Sequence, residues 1–379
     1  MVKILLIPEF SSYGGTYTYF KDLINFYYSQ KYKASVVLKK EQLNQEVIDL
    51  INKFGYKFSI FPEIKKVFIR LRPRFLFQSF FNFFNLLPIY FKIKPDIAVI
   101  STGTPGDLLS LMFLPSKFLY ILHTYPVESR RNFFIKLFLK INLGKRKKIL
   151  TVSEFSRKEI IKTWRLPKKK ECVNVIYNTN IYEKKSKEIF QNDEIKNNNK
   201  IRILTIGHLR WYKNPLLWIE VAEIVNKIIL MKNIEFIWSG DGELLSECQR
   251  LIKTLNLNNV SFTGYQKGVE NLINSCDIYF QPSAVESFGM CVLDAMRLGK
   301  PCIVSNVGGL PEIVVDNETG YVINVNDKKM MAEKLILLIK DKDLRLGMGK
   351  LGKNRYDNCF SCRIWQKKMI NLHNSLLGS

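Results

Sequence analysis

The sequence predicts an α/β protein built as two doubly wound parallel-sheet domains, and three observations carry that expectation. Short Val- and Ile-rich runs alternate with helical patterns along nearly the whole chain. The alternation comes in two series, separated by a polar, Asn-rich stretch without periodicity at 183–200, "EKKSKEIFQNDEIKNNNK". The chain of 379 residues is also long for one hydrophobic core. Apolar runs that do not alternate with polar residues belong to strands covered on both faces, which means parallel sheets flanked by helices.

In the first series the expected strands are 3–7, 34–38, 57–61, 97–101, 118–123, 148–153 and 173–177, with helical stretches at 15–30, 42–54, 130–143 and 154–166. The second series has strands at 202–207, 234–240, 260–265, 277–283, 301–306 and 320–323. Its helices fall near 215–230, 243–255, 267–275, 288–298 and 328–340, and a last helix with a basic face covers 361–377. The expected organisation is a first domain at 1–180, a linker at 181–200 and a second domain at 201–363, with 364–379 packing back on the first. Ligands of such sheets bind outside the carboxyl ends of the strands, near a switch in strand order, so a cleft between the domains is the expected site.

Composition excludes several classes. The longest uncharged run, Phe75 to Phe91, holds Gln78, Asn82, Asn85 and Pro88 and falls short of the ~20 apolar residues of a spanning helix. The apolar start "MVKILLIPEF" is too short for a secretory leader and reads as a strand. Seven scattered cysteines suit a reducing compartment, and the lone Cys359-x-x-Cys362 has no second pair to complete a zinc site. Charge is unevenly placed: residues 1–180 hold 31 Lys and Arg against 12 Asp and Glu, whereas 181–379 hold 27 against 22. That split points to a polyanionic partner in the first half, unless it reflects solvated faces of a generally Lys-rich chain. No nucleic-acid recognition signature accompanies it. The segments 63–84 and 143–149 mix cations with aromatics, which suits an anionic membrane surface, with Lys65, Lys66, Arg70, Arg72 and Arg74 as the expected contacts.

Chemistry concentrates at strand ends. "PSAVESFGM" places Glu286, Phe288, Gly289 and Met290 in a strand-to-helix turn, where free backbone N–H groups and the helix dipole receive anionic or hydroxyl-rich ligands. Asp294 follows eight positions on; at helical rise that is ~12 Å, too far to share a proton or metal but suited to gripping two ends of one elongated ligand. Equally, Glu286 reads as an ordinary helix-start acid and Asp294 as an exposed helix residue. "VGGLPEI" repeats the turn chemistry with Gly308, Gly309 and Glu312, and "GHLRWYKNP" puts Gly207, Arg210 and Lys213 after the first strand of the second domain, as cations for a diphosphate. Gly14 and Gly15 follow the first strand of the chain. His123 ends another strand, a position more often structural than catalytic.

Taken together, the segment from Phe262 to Ile323 resembles the donor half of retaining GT-B glycosyltransferases, in particular the large group-1 (family 4) type. The resemblance extends to "GHLRWYKNP", "GDGELL" (240–245), "LTVSEFSRKEI" (150–160) and "VIYNTNI" (175–181), and thins over 40–95. It implies two Rossmann-like domains and transfer of a sugar from a nucleotide-diphosphate donor. Glu286 would contact the sugar hydroxyls, assisted by Phe288, Gly289 and Met290; Asp294 would hold the ribose; Arg210 and Lys213 would neutralise the diphosphate, with Gly207 beside them. From the first domain, Gly14 and Gly15 would approach the phosphates and His123 the sugar. The chain departs from the family pattern at Asp294, usually Glu, at His208, usually Arg, and at Asn178-Thr179-Asn180-Ile181 in place of Asn-Gly-x-Asp.

Breaking the donor bond builds negative charge on the diphosphate, which preorganised cations stabilise. The Asp341-Lys342-Asp343 stretch is expected in a solvated turn, so no metal and no cofactor are expected. No nucleophilic carboxylate pair can be read, and retention of configuration is implied by the resemblance alone. The expected reaction moves a hexose-type sugar, from a UDP-sugar by preference, to a lipid-linked or polysaccharide acceptor of bacterial surface glycan synthesis. The expected location is cytoplasmic, on the inner face of the membrane, with no nucleic-acid partner. A sugar-nucleotide 2-epimerase or a degenerate member would share the fold.

Overall fold

The computed structural model describes residues 1–10, 14–61, 74–104, 109–127, 132–179, 200–229 and 233–378. Lys65, Lys66, Arg70 and Arg72 lie outside the described residues, as does the stretch 180–199, which takes in all of the expected linker but its last residue; Arg74 opens a helix. The chain forms two compact units, Met1–Ile181 with Cys362–Ser379, and Tyr182–Ser361.

The first unit runs β1 (Lys3–Pro8), α1 (Gly15–Ser29), β2 (Lys33–Leu38), α2 (Gln45–Lys53), β3 (Lys57–Ile60), α3 (Arg74–Ile93), β4 (Ile97–Thr102), β5 (Lys117–Leu122), α4 (Asn132–Asn142), β6 (Lys147–Thr151), α5 (Glu154–Thr163) and β7 (Val173–Val175). Its strands form one parallel sheet in the order β3-β2-β1-β4-β5-β6-β7. The order reverses between β1 and β4, which opens the strand ends there to a ligand. β1 shows why its sequence is apolar without alternation. Ile4 and Leu6 enter one core with α1 and α2, while Leu5 and Ile7 enter another with α3, α4 and α5.

The last helix, α13 (Cys362–Leu377), returns to this unit. Its Trp365, Met369, Leu372 and Leu376 recur at helical spacing and are buried in the α1 core. The Trp365 ring meets Phe26 and Tyr19 edge-on at 5.5 and 6.0 Å.

The second unit runs β8 (Ile201–Ile206), α6 (Pro215–Ile228), β9 (Ile234–Ser239), α7 (Leu245–Thr254), β10 (Val260–Phe262), α8 (Val269–Asn274), β11 (Ile278–Gln281), α9 (Met290–Arg297), β12 (Cys302–Ser305), α10 (Leu310–Ile313), β13 (Gly320–Ile323), α11 (Lys328–Lys340) and α12 (Lys342–Cys359). Its parallel sheet has the order β10-β9-β8-β11-β12-β13, with the reversal between β8 and β11. Both units are thus Rossmann-like.

Two helices escape the sequence reading. α3 is apolar along most of its length and contains Pro88, a residue that ordinarily breaks a helix interior. α12 carries Gly347, Gly349 and Gly352, which read as breakers. Two of these serve packing against the α9 end: a Cβ on Gly349 would lie 2.0 Å from the Gly299 carbonyl oxygen, and one on Gly352 3.4 Å from Met296. The expected solvated turn at Asp341-Lys342-Asp343 is instead a helix start, where the Asp341 carboxylate accepts a hydrogen bond from the Leu344 N–H at 2.8 Å.

Candidate functional site

In the second unit the reversal point gathers the loops after β8, β9, β11 and β12. The loop after β8 ends in a short 3₁₀ turn, Trp211–Lys213, and the Tyr212 carbonyl accepts from the Ala284 and Val285 N–H groups of the loop after β11, at 2.9 and 3.1 Å. The loop after β9 crosses the β8 loop so closely that a Cβ on Gly240 would lie 2.1 Å from the Gly207 carbonyl oxygen. The loop after β12 does the same to Glu286. Gly308 has φ +56, a Cβ there would fall 1.6 Å from the Glu286 carbonyl oxygen, and the Gly309 N–H donates to that oxygen at 3.2 Å.

This bracing fixes one ion pair, between the Lys213 ammonium and the Glu286 carboxylate, each side chain being less than one-fifth exposed. Burial pulls the Lys213 pKa down, but the charge and hydrogen bond of Glu286, with smaller help from Cys291 and Tyr212, outweigh it and hold the ammonium above its ordinary value. The Lys213 stem runs over Gly207, where a Cβ would meet its Cε at 3.5 Å. The pair stands before the N-terminus of α9, whose cap is Gly289 at φ +111 with no side-chain hydrogen bond, so the first N–H groups of that helix have no side-chain cap. Phe288 is buried against Phe360, ring centroids 6.2 Å apart. Burial pushes the Cys291 thiol up to about 12, with the Asp294 charge adding to it, so this thiol is not a nucleophile at neutral pH.

Several expectations change here. Helical geometry begins only at Met290, so the ~12 Å helical spacing expected between Glu286 and Asp294 does not apply: Glu286 lies in the preceding loop. Asp294 is buried rather than exposed, with the Arg297 guanidinium 3.8 Å away. Arg210, at the cap of the 3₁₀ turn that carries Lys213, is exposed, and so is His208. Cys359 and Cys362 are free thiols at the junction of α12 and α13.

In the first unit the reversal point gathers a second set of residues. Gly14, at φ +119, caps α1, and Gly15 is its first helical residue; both are exposed. His123, just past β5, is buried, with its Nε2 2.8 Å from the Ser101 hydroxyl and its ring edge-on to Tyr19 at 4.6 Å. Burial lowers its pKa to about 4, so the imidazole is neutral at pH 7.

Sequence reasoning missed Glu9, Lys39 and Thr102. The Glu9 carboxylate, at the end of β1, is held by the Lys39 ammonium and by the Thr102 hydroxyl, and the Glu9 N–H donates to the Ser101 carbonyl at 2.6 Å. The signal was an acid directly after an apolar strand; its partners lie 30 and 93 positions away and only the sheet order brings them together.

Residues 186–355 match the family "Glycosyl transferases group 1". A relative from Bacillus anthracis, N-acetyl-alpha-D-glucosaminyl L-malate synthase, is 30% identical over 204 residues, 52% of each chain. UDP-Gal:alpha-D-GlcNAc-diphosphoundecaprenol alpha-1,3-galactosyltransferase of Escherichia coli is 30% identical over 165 residues, 43% of this chain and 42% of that one. The chain thus spans about half the length of these curated relatives. Among solved structures, Anabaena Alr3699/HepE in complex with UDP and glucose superposes with TM-score 0.73 at 18% identity, covering 99% of this chain and 100% of that one. The fold is that of GT-B glycosyltransferases, and within it the second unit carries the match to the glycosyl transferases group 1 family.

Proposed function

We propose that the protein is a retaining, metal-independent glycosyltransferase that moves a hexose-type sugar from a nucleotide-diphosphate sugar, with UDP-sugars favoured, to a lipid-linked or polysaccharide acceptor of bacterial surface glycan synthesis. The observation that carries this reading is the Lys213–Glu286 pair, held before the uncapped start of α9 by turns that only glycine fits. Glu286 accepts hydrogen bonds from sugar hydroxyls, and Phe288, Gly289 and Met290 present the helix start. Lys213 and Arg210 face the diphosphate, and Asp294 takes the ribose. On the first unit, Gly14 and Gly15 have a phosphate-facing role, and His123 a sugar-facing one as a neutral hydrogen-bonding group.

As the bond to the diphosphate breaks, positive character grows on the sugar and negative charge on the leaving group. Lys213 is preorganised for that charge: its ammonium is kept protonated by Glu286, and it needs no reorganisation when the charge appears. These cations support transfer without a metal. The E. coli relative, named for a UDP-sugar and an undecaprenyl acceptor, supports a UDP donor and a lipid-linked acceptor, and with the basic first half of the chain it supports work at the inner face of the membrane.

The test is turnover of labelled UDP-sugars and other nucleotide sugars, in EDTA, with and without a bacterial lipid extract. The proposal expects label in the lipid fraction, only slow hydrolysis without acceptor, and loss of transfer in Glu286→Gln. Acceptor-independent interconversion of the nucleotide sugar would show an epimerase instead. Transfer that stops in EDTA and returns with a divalent cation would overturn the metal-independent part.

A further inference from the structure

One face of the first unit carries large apolar side chains in water. On α3, Phe84 and Phe91 are 62% and 57% exposed, and on α4, Leu137 and Ile141 are 55% and 72% exposed. Phe84 and Phe91 are seven apart and Leu137 and Ile141 four apart, so each pair shares one side of its helix. Phe113, half exposed in the turn 109–113, joins the two helices: its ring is edge-on to Phe138 of α4 at 4.7 Å and to Phe83 of α3 at 6.4 Å. The inner side of α4 is already supplied by buried Ile135 and Leu139. A helix facing only water would be polar on its outer side; α4 instead exposes Leu137 and Ile141 there, with Lys140 between them.

The surrounding charge has one sign. Residues 74–93, 109–117 and 132–148 contain no Asp or Glu, and Lys92, Lys140, Lys145 and Arg146 are exposed among them. Apolar side chains flanked by cations match the headgroup boundary of an anionic bilayer, where the hydrocarbon enters and the ammonium groups meet lipid phosphates. No helix of the described residues is long and apolar enough to cross a membrane.

We infer that this α3–turn–α4 face docks on an anionic lipid bilayer. The inference deepens the proposed function, resting on it only for the purpose of docking, which is to bring the enzyme to a lipid-linked acceptor. It also locates the contact on residues other than the cations at 65–74.

The experiment is co-sedimentation of the purified chain with phosphatidylcholine vesicles, with and without phosphatidylglycerol, for wild type, Leu137→Gln with Ile141→Gln, and Lys140→Gln with Lys145→Gln. The expected result is binding that requires phosphatidylglycerol, weakens with salt, and falls roughly fivefold per lysine removed and at least as much in the Gln pair. Melting temperature and UDP binding, measured on the same samples, should not move, because all four side chains are exposed. Wild type that ignores the anionic lipid, or variants that bind like wild type, would overturn the inference. So would a wild-type dimer in ultracentrifugation that the Leu137–Ile141 variant dissolves, which would make the face a contact between copies. Vesicle binding without any nucleotide binding would retain the docking face and reject the proposed function.

Discussion

At the scale of single residues, Glu286 owes its position to a glycine twenty-two places further on. Gly308 combines a left-handed backbone with a van der Waals contact to the Glu286 carbonyl that no side chain can share. Gly308→Ala adds about 1–2 kcal/mol of backbone strain and displaces the Glu286 loop. A shift near 1 Å is expected to lower kcat/KM roughly a hundredfold while the protein stays folded, as read by kinetics beside circular dichroism. Two of the three histidines carry a second prediction. His123 and His373 are buried and titrate near 4 instead of 6.5, with burial the main cause in both. His373 Nδ1 lies 2.8 Å from the Met369 carbonyl, which can only accept, so Nδ1 carries the proton and Nε2 faces the Tyr27 hydroxyl. Because the folded values lie below the unfolded ones, the unfolded chain binds more protons below pH 6.5. Stability is full above that pH and falls as pH drops toward 4, by about 2 kcal/mol per ring at pH 5. Thermal melts from pH 7.5 to 5 should show this decline, and His373→Gln should remove about half of the slope.

Elements show what the sequence made legible. Strand and helix alternation was readable because each strand of these sheets feeds two cores, as Ile4 with Leu6 and Leu5 with Ile7 show. The strand-to-helix turns at Gly14, Gly289 and Gly308 were readable because positive φ leaves few other residues possible. Neighbour relations were not. That Lys213 pairs with Glu286 follows from β8 lying beside β11, and that Glu9 meets Thr102 follows from β1 lying beside β4. Neither order is written in local periodicity. α12 was hidden for a related reason, since its glycines answer to α9 and not to their own helix. Gly349→Ala places a Cβ against the Gly299 carbonyl, and overpacking of this kind costs about 1–3 kcal/mol. Its melting temperature should fall, and since α12 backs the helix that carries Asp294, nucleotide affinity should fall with it. Gly347→Ala, with open space around it in the same helix, should instead raise the melting temperature slightly, by about 0.5–1 kcal/mol of stability, and leave affinity unchanged.

Across the whole molecule, two sheets of like construction carry unlike surfaces. The net charge of +24 belongs mostly to the first half of the chain, and the first unit also carries the apolar α3–α4 face. The second unit holds the family match and the braced ion pair. On the reading proposed above, this pair belongs to a nucleotide-sugar site. Calorimetric titration of UDP and UDP-sugars into wild type and Lys213→Ala, in EDTA, tests it most directly. Wild type is expected to bind without metal and the variant to lose roughly thirtyfold or more, ~2 kcal/mol, because the diphosphate loses a desolvated cation. Wild type that binds no nucleotide, or Lys213→Ala that binds as tightly as wild type, would contradict it.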